Sequence, residues 1–460
     1  MDVEYSQDGK LLKRVMNAEG HFEIPDSVET IEWEAFRKCE KLTSISIPQT
    51  VTDIKGFPFV GCDNLERINV SPENPCYLSE DGILYTKDKS KIVTCPAGKK
   101  QERFVIQDSV VRICTGAFFH CKGLSAIKIS DSVVEIDMSA FEGCVSLTEV
   151  QIPESVAKLG ACAFKDCTLL ASVDFSLSLK TIGNLAFENC RSLKSIDIPG
   201  SVKSIGMGAF SDCSEIVSVN MPESISSIEN FTFNGCTSLV TIRIPNSVKT
   251  IWAYAFQNCT SLTSVLIPSS VEKIDSTIFW GCNNLMALSI DEANPYLMYI
   301  DGVFYSKDQS ELVAIISSMH SNHFEVLPTV SRIGPMALYG CGKLQSIKLP
   351  MSITEIGPGA FSSCMKLTSI EIPESVKEIG PRAFADCTCL ESVVIPDSVE
   401  KIASDAFQGC PNIKEFQCCK YALKDVSQDL DSNLDVLVDD IDDAELDEFM
   451  KKYGLDLLYE

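Results

Sequence analysis

The residue types most often recruited for chemistry are unevenly spread along this chain. It holds 21 cysteines and only four histidines, His21, His120, His320 and His323. His320 and His323 are near enough in sequence to bring two imidazoles together. No carboxylate or thiol stands at ligand spacing beside them, so no metal site is expected there. The absence of any C-x-x-C pair argues against a zinc ribbon or a thioredoxin-type dithiol. Asp429, Asp431, Asn433, Asp435 and Asp440 match several ligand positions of a calcium loop. Leu434, however, stands where the sharp turn wants glycine, and the last ligand is Asp rather than Glu; a solvated acidic stretch explains the same residues. Gly206-Met207-Gly208 and Gly357-Pro358-Gly359 resemble fragments of a phosphate loop, without the lysine and hydroxyl that complete one. There is no G-x-S-x-G and no H-E-x-x-H. No catalytic, cofactor-binding or metal-binding residue is assigned, and the expectation is a protein that is not an enzyme.

The cysteines carry a different message. Cys39, Cys62, Cys121, Cys144, Cys167, Cys190, Cys213, Cys236, Cys259, Cys282, Cys341, Cys364, Cys387 and Cys410 step by 23 residues, except that Cys62 to Cys121 and Cys282 to Cys341 are 59 apart. That gives 14 units of 23 residues and two insertions of 36. One unit runs from Leu193 to Cys213. Ile196 and Ile198 alternate around Asp197, the period of a strand with one buried face. Pro199 then ends the ladder, because it has no N–H to donate. Val202 and Ile205 return apolar side chains to the core. Gly206 is expected to permit the next bend, and Ala209, Phe210 and Cys213 to close the coil through a short helical or irregular turn. A unit this small cannot bury its own apolar face, but stacked units bury it jointly. The phased thiols are then core side chains, surrounded by Phe and Leu.

The string L-x-S-I-x-I-P-x-S-V-x-x-I-G-x-x-A-F-x-x-C resembles the BspA-type leucine-rich repeat over roughly residues 22 to 418. The resemblance implies a leucine-rich-repeat solenoid, β-rich, with short parallel strands on a concave face and short 3-10 or irregular turns. Family members are common in host-associated bacteria and protists, and many are surface proteins implicated in adhesion or in binding host proteins.

The expected organisation is an N-terminal cap at 1–24, repeats at 25–70, a hairpin insertion at 71–106, repeats at 107–290, a second hairpin insertion at 291–326, repeats at 327–420 and an acidic tail at 421–460. The insertions are related to each other. The run starting at Asp81, DGILYTKDKSKIVTCP, and that starting at Asp301, DGVFYSKDQSELVAII, are offset by 220 residues, as are Asn74-Pro75 and Asn294-Pro295. The segment around Asp8-Gly9 looks like a shortened copy that caps the first coil. From Asp425 to Glu460 there are 13 acidic and 2 basic residues. Within this tail Leu446, Phe449, Met450 and Tyr453 have helical spacing. Asp442 and Glu445 stand where a capping box would place them.

The formal net charge is −25. Nucleic acid and anionic membrane surfaces are therefore unfavourable partners. No apolar run is long enough to span a bilayer. The N-terminus has no secretory h-region, so the cytosol is the expected compartment, with the cell surface as the alternative if a leader precedes this start. The expected partner is a protein or peptide, with no cofactor, and the chain is read as a monomer. The expected contact column is the residue between the two buried strand positions: Lys128, Gln151, Asp174, Asp197, Asn220, Arg243 and Leu266. The core positions repeat while this column changes in size and charge. The reading is a protein-interaction module, with a surface adhesin as the alternative.

Overall fold

The structure, a computed structural model, describes residues 2–315, 322–418 and 435–438. Contacts divide the chain into two units, Met1–Val271 with Gly281–Leu288, and Glu272–Trp280 with Ser289–Glu460. Each unit is a stack of coils, and no helix occurs among the described residues.

In the coil ending at Cys213, Ser195–Asp197 is a strand with Ile196 buried between two exposed residues. Ser204–Ile205 forms a second, two-residue strand on the other side of Val202. Both pair in parallel at a fixed offset. Ile196 lies opposite Val219, and Ile182 lies opposite Ile205. An offset equal to the repeat puts equivalent side chains on top of one another, so the core forms columns. In the first unit the rings of Phe118, Phe141, Phe164, Phe187, Phe210, Phe233 and Phe256 stack with centroids 5.0 to 5.8 Å apart. In the second, Phe361, Phe384 and Phe407 stack at 5.0 and 5.1 Å, and Leu338 holds the preceding place.

The segment that closes each coil is irregular rather than helical, the second of the two forms expected of it. Its N–H groups alternate in direction. Those of Leu185, Phe187 and Asn189 donate to Met207, Ala209 and Ser211 of the next coil, each at 2.8 Å. Those of Ala186, Glu188 and Cys190 fold back to Gly183, Leu185 and Phe187, three residues earlier. A helix needs all its N–H groups to point one way along its own axis. Here every second one is spent on the neighbouring coil. The alternation carries two left-handed residues per turn, Leu185 at φ 57° and Asn189 at φ 62°.

Gly206 also departs from expectation. It has no positive φ; a Cβ there would instead lie 2.6 Å from the carbonyl carbon of Gly183 in the coil beneath. Close approach of two backbones, not a bend, requires the glycine.

The insertions are more than hairpins. The first contains three antiparallel strands, Tyr77–Glu80, Ile83–Thr86 and Lys91–Thr94. The last of these pairs in parallel with Arg112–Ile113 and so starts the next stretch of coils. In the second unit, Glu311–Ile315 joins Arg332–Ile333 in the same way. At the N-terminus Leu11–Met16 joins Thr30–Ile31. The three turns also match, with Ser6, Thr86 and Ser306 each donating a hydroxyl hydrogen bond to Asp8, Asp88 and Asp308. Asn74 fixes the first insertion to the stack. It is fully buried, its amide nitrogen donates to the carbonyls of Pro48 and Val51, and its oxygen accepts from the amides of Cys76 and Tyr77. Asn294 accepts from Tyr296 and Leu297 equivalently.

At the C-terminal end Asp435–Val438 adds a parallel strand to Glu415–Cys418, with Glu415 opposite Asp435. This strand lies inside the stretch expected to be an acidic tail. The expected helix with Leu446, Phe449, Met450 and Tyr453 lies outside the described residues. So do His320 and the calcium-loop candidates Asp429, Asp431, Asn433 and Asp440.

Candidate functional site

The seven residues of the expected contact column all lie in the first unit. Lys128, Gln151, Asp174, Asp197, Asn220, Arg243 and Leu266 are all exposed. Parallel pairing sets Gln151 opposite Asp174, Asp197 opposite Asn220, and Arg243 opposite Leu266. Each of these residues points outward because its neighbours on either side, such as Ile196 and Ile198 around Asp197, are drawn into the core.

The column has two characters. Lys128, Gln151 and Asp174 line an open depression of about 1040 Å³, together with Asp108, Asp131 and Glu149. Farther along, the Asn220 amide donates to the Asp197 carboxylate at 2.8 Å, and Arg243 pairs with Glu223. Leu266 stands 55% exposed at the end of this stretch.

Three neighbours of the column were not legible as candidates. Val217, Val240 and Met286 are 51%, 47% and 80% exposed. They directly follow the buried Ile216, Leu239 and Leu285 at the start of the outward strand. The only sequence signal is an apolar residue in a variable position of the repeat. Beside Leu266 and Arg243 they add an apolar flank to a mostly polar face.

The groups with chemical potential are occupied by the fold. Each phased thiol from Cys144 to Cys282 donates to the carbonyl of the phenylalanine 26 residues earlier, at 3.0 to 3.3 Å. Burial pushes the thiols of Cys144, Cys167, Cys190, Cys213 and Cys236 upward, and takes Cys62 and Cys341 from 9.0 to about 12. A thiol held protonated is a poor nucleophile and a poor metal ligand. The described cysteines form no disulfide. The Gly206 amide donates to Ile182 and the Met207 amide to the Asn184 side chain, so this glycine pair does not present a phosphate cradle. His323 faces Ser346 at 2.6 Å. His120 and Lys122 both reach Asp63, at 3.1 and 2.7 Å, across the first insertion. No group of three or more His, Cys, Asp or Glu positioned for a metal occurs among the described residues. No helix among them is long and apolar enough to cross a membrane.

Parallel strands repeating every 23 residues around a Phe and Cys core, with a changing outward column, define a leucine-rich-repeat solenoid. The model of the BspA-type leucine-rich repeat region, six copies long, matches residues 18–97, 94–217, 203–321 and 316–430. The chain belongs to the BspA-type leucine-rich repeat family. Among solved structures it is similar to a leucine-rich repeat protein from Eubacterium ventriosum, with 28% identity over 57% of this chain and a TM-score of 0.47. It spans 64% of that protein's chain. A leucine-rich repeat protein from Bacteroides ovatus shares 26% identity over 95% of this chain and 98% of its own, with a TM-score of 0.43. A leucine-rich cell surface protein from Faecalibacterium prausnitzii shares 23% identity over 97% of this chain and 94% of its own, with a TM-score of 0.39. No curated protein matches the chain.

Proposed function

We propose that the chain is a non-enzymatic protein-binding module. Its recognition face is the outward column Lys128, Gln151, Asp174, Asp197, Asn220, Arg243 and Leu266, flanked by Val217, Val240 and Met286. One observation carries this reading: on a scaffold whose inward columns repeat Phe, Leu, Ile and Cys from coil to coil, the outward column does not repeat. It runs cation, amide, two acids, amide, cation and apolar over consecutive coils. Fixed spacing with changing chemistry is what a surface needs to read an extended protein partner. The apolar flank supplies the area such contacts use, and Arg243 the kind of side chain that anchors them.

The test is affinity capture with the intact chain from native lysate, with captured proteins identified by mass spectrometry. Capture is then repeated with Lys128→Glu/Arg243→Glu and with Val217→Asp/Val240→Asp. A partner held on this face is lost with both double variants. A partner retained by both removes the face from the assignment.

A further inference from the structure

A second surface of the first unit lies on the coil-closing turns. Leu185, Met207, Phe231, Trp252 and Tyr254 sit there on four successive coils. Backbone hydrogen bonds place them side by side: Leu185 N–H donates to the Met207 carbonyl, Gly208 to Asn230, and Phe231 to Ala253. Phe231 and Tyr254 stack with centroids 4.9 Å apart. Met207, Phe231 and Trp252 remain 41%, 37% and 45% exposed. Leu185 and Phe231 take left-handed backbone at this turn position, where Gly208 stands in the coil between them. Bulky side chains are strained in that conformation and glycine is not. The packing of the core does not call for these side chains, which lie on the outside.

The edge of this strip carries two lysines that no ion pair balances among the described residues, while Glu229, on the Phe231 coil, accepts a hydrogen bond from Ser227. At the residue before the short strand, neighbouring coils elsewhere pair opposite charges, as in Lys10–Glu29 at 2.7 Å and Lys377–Glu400 at 3.5 Å. One residue farther on, Arg112–Glu135, Arg332–Glu355 and Lys401–Glu378 do the same, at 3.0, 3.0 and 2.6 Å. Lys180 and Lys203 break the pattern. They flank the paired residues Thr181 and Ser204, so they are like charges on adjacent rungs. Both are exposed, and neither forms an ion pair among the described residues. Like charges on adjacent rungs repel. Gly183 and Gly206 lie between these lysines and the strip and raise no side chain in the way. On the far edge the carboxylates are already engaged, Glu188 with Lys165 and Asp166 with Asn189.

We infer that this strip is a docking surface for an acidic amphipathic segment of a partner protein. The segment's apolar stripe covers Met207, Phe231 and Trp252, and its carboxylates neutralise Lys180 and Lys203. This face is distinct from the strand column, so it stands or falls separately from the binding role proposed above.

The test uses the full chain and a fluorescent synthetic peptide of about 18 residues, with Leu and Phe at i, i+3, i+4 and i+7 and Glu elsewhere. A scrambled peptide of the same composition serves as control. Anisotropy is expected to show saturable binding of the patterned peptide that weakens with added salt. Lys180→Glu/Lys203→Glu should weaken it roughly tenfold, and Met207→Ser/Trp252→Ser by a similar factor. Arg243→Glu should leave it unchanged. All these side chains are exposed, and circular dichroism of each variant checks its fold. The inference is overturned if the patterned peptide does not bind, if the scrambled peptide or a Lys-for-Glu version binds equally, or if the double lysine reversal has no effect.

Discussion

The sulfur of Cys213 lies 3.1 Å from the carbonyl oxygen of Phe187, which also accepts the backbone N–H of Cys190 at 3.2 Å. The oxygen is thus bonded once within its own coil and once from the next, in a core where the Cys and Phe are fully buried. This explains why the position holds Cys rather than Ala or Val. It needs a small apolar side chain that also carries a weak hydrogen-bond donor.

That relationship predicts an order of stabilities that apolar packing alone would reverse. Cys213→Ser keeps a donor for the Phe187 carbonyl, whereas Cys213→Val removes it. The serine variant should be more stable than the valine variant by about 1 kcal/mol. Denaturant unfolding of the two checks this; a more stable valine variant would mean that the thiol acts only as filler.

The same burial makes the fold sensitive to alkali. Cys62 and Cys341 rise from 9.0 to about 12. A raised thiol pKa favours the protonated, folded form, so its stabilisation is complete below the unfolded value. It is lost as pH climbs through the window from about 9 to about 12, at about 1.4 kcal/mol per pH unit for each thiol. Stability measured from pH 8 to 11 should fall steeply, and Cys62→Ser/Cys341→Ser should shallow the slope. A thiol-reactive disulfide reagent at neutral pH should label the exposed Cys389 first and reach Cys190, Cys213 and Cys236 only on unfolding.

Glycine at the start of the closing turn should be irreplaceable for a contact reason. A Cβ on Gly183 would sit 2.6 Å from the Gly160 carbonyl carbon, while one on Gly200 meets nothing within 4 Å. Gly183→Ala should cost about 3 kcal/mol by forcing two coils apart. Gly200→Ala should be neutral or slightly stabilising. Equal thermal midpoints for the two would refute the close-approach account.

The turns of the insertions should respond to acid. Hydrogen bonds from Ser90 and Thr86 bring Asp88 down to about 2, and those from Ser306 and Ser310 do the same for Asp308. A lowered carboxyl pKa gives stabilisation that is present above the unfolded value near 3.8. It is lost as pH falls through about 2. Carboxyl titration by NMR should find both groups well below ordinary aspartates. Asp88→Ala should speed amide exchange at Ser90 and Lys91, whose N–H groups lean on this turn. Unchanged exchange would show that the carboxylate does not hold it.

The sequence by itself determined the repeat, its phase, the inward columns and the kinship of the two insertions. Side chains such as Ile196, Phe210 and Cys213 must be buried in every coil, and that demand writes itself into residue type at a fixed interval. It also marked the outward column, as the places where residue type does not repeat. Only the tertiary structure decided how coils touch. Stacking, not local propensity, turns every second N–H of the closing segment toward its neighbour, so of the helical and irregular turns open to Ala209 and Phe210 the irregular one forms. Stacking likewise makes Gly206 a matter of contact rather than of bending. It brings Asp63 to His120 across an inserted stretch, and leaves Lys180 beside Lys203 without a carboxylate partner among the described residues. Those relations join residues 22 or more positions apart, and their residue types are compatible with many other neighbours. Their meaning becomes fixed only when the coils are laid in register.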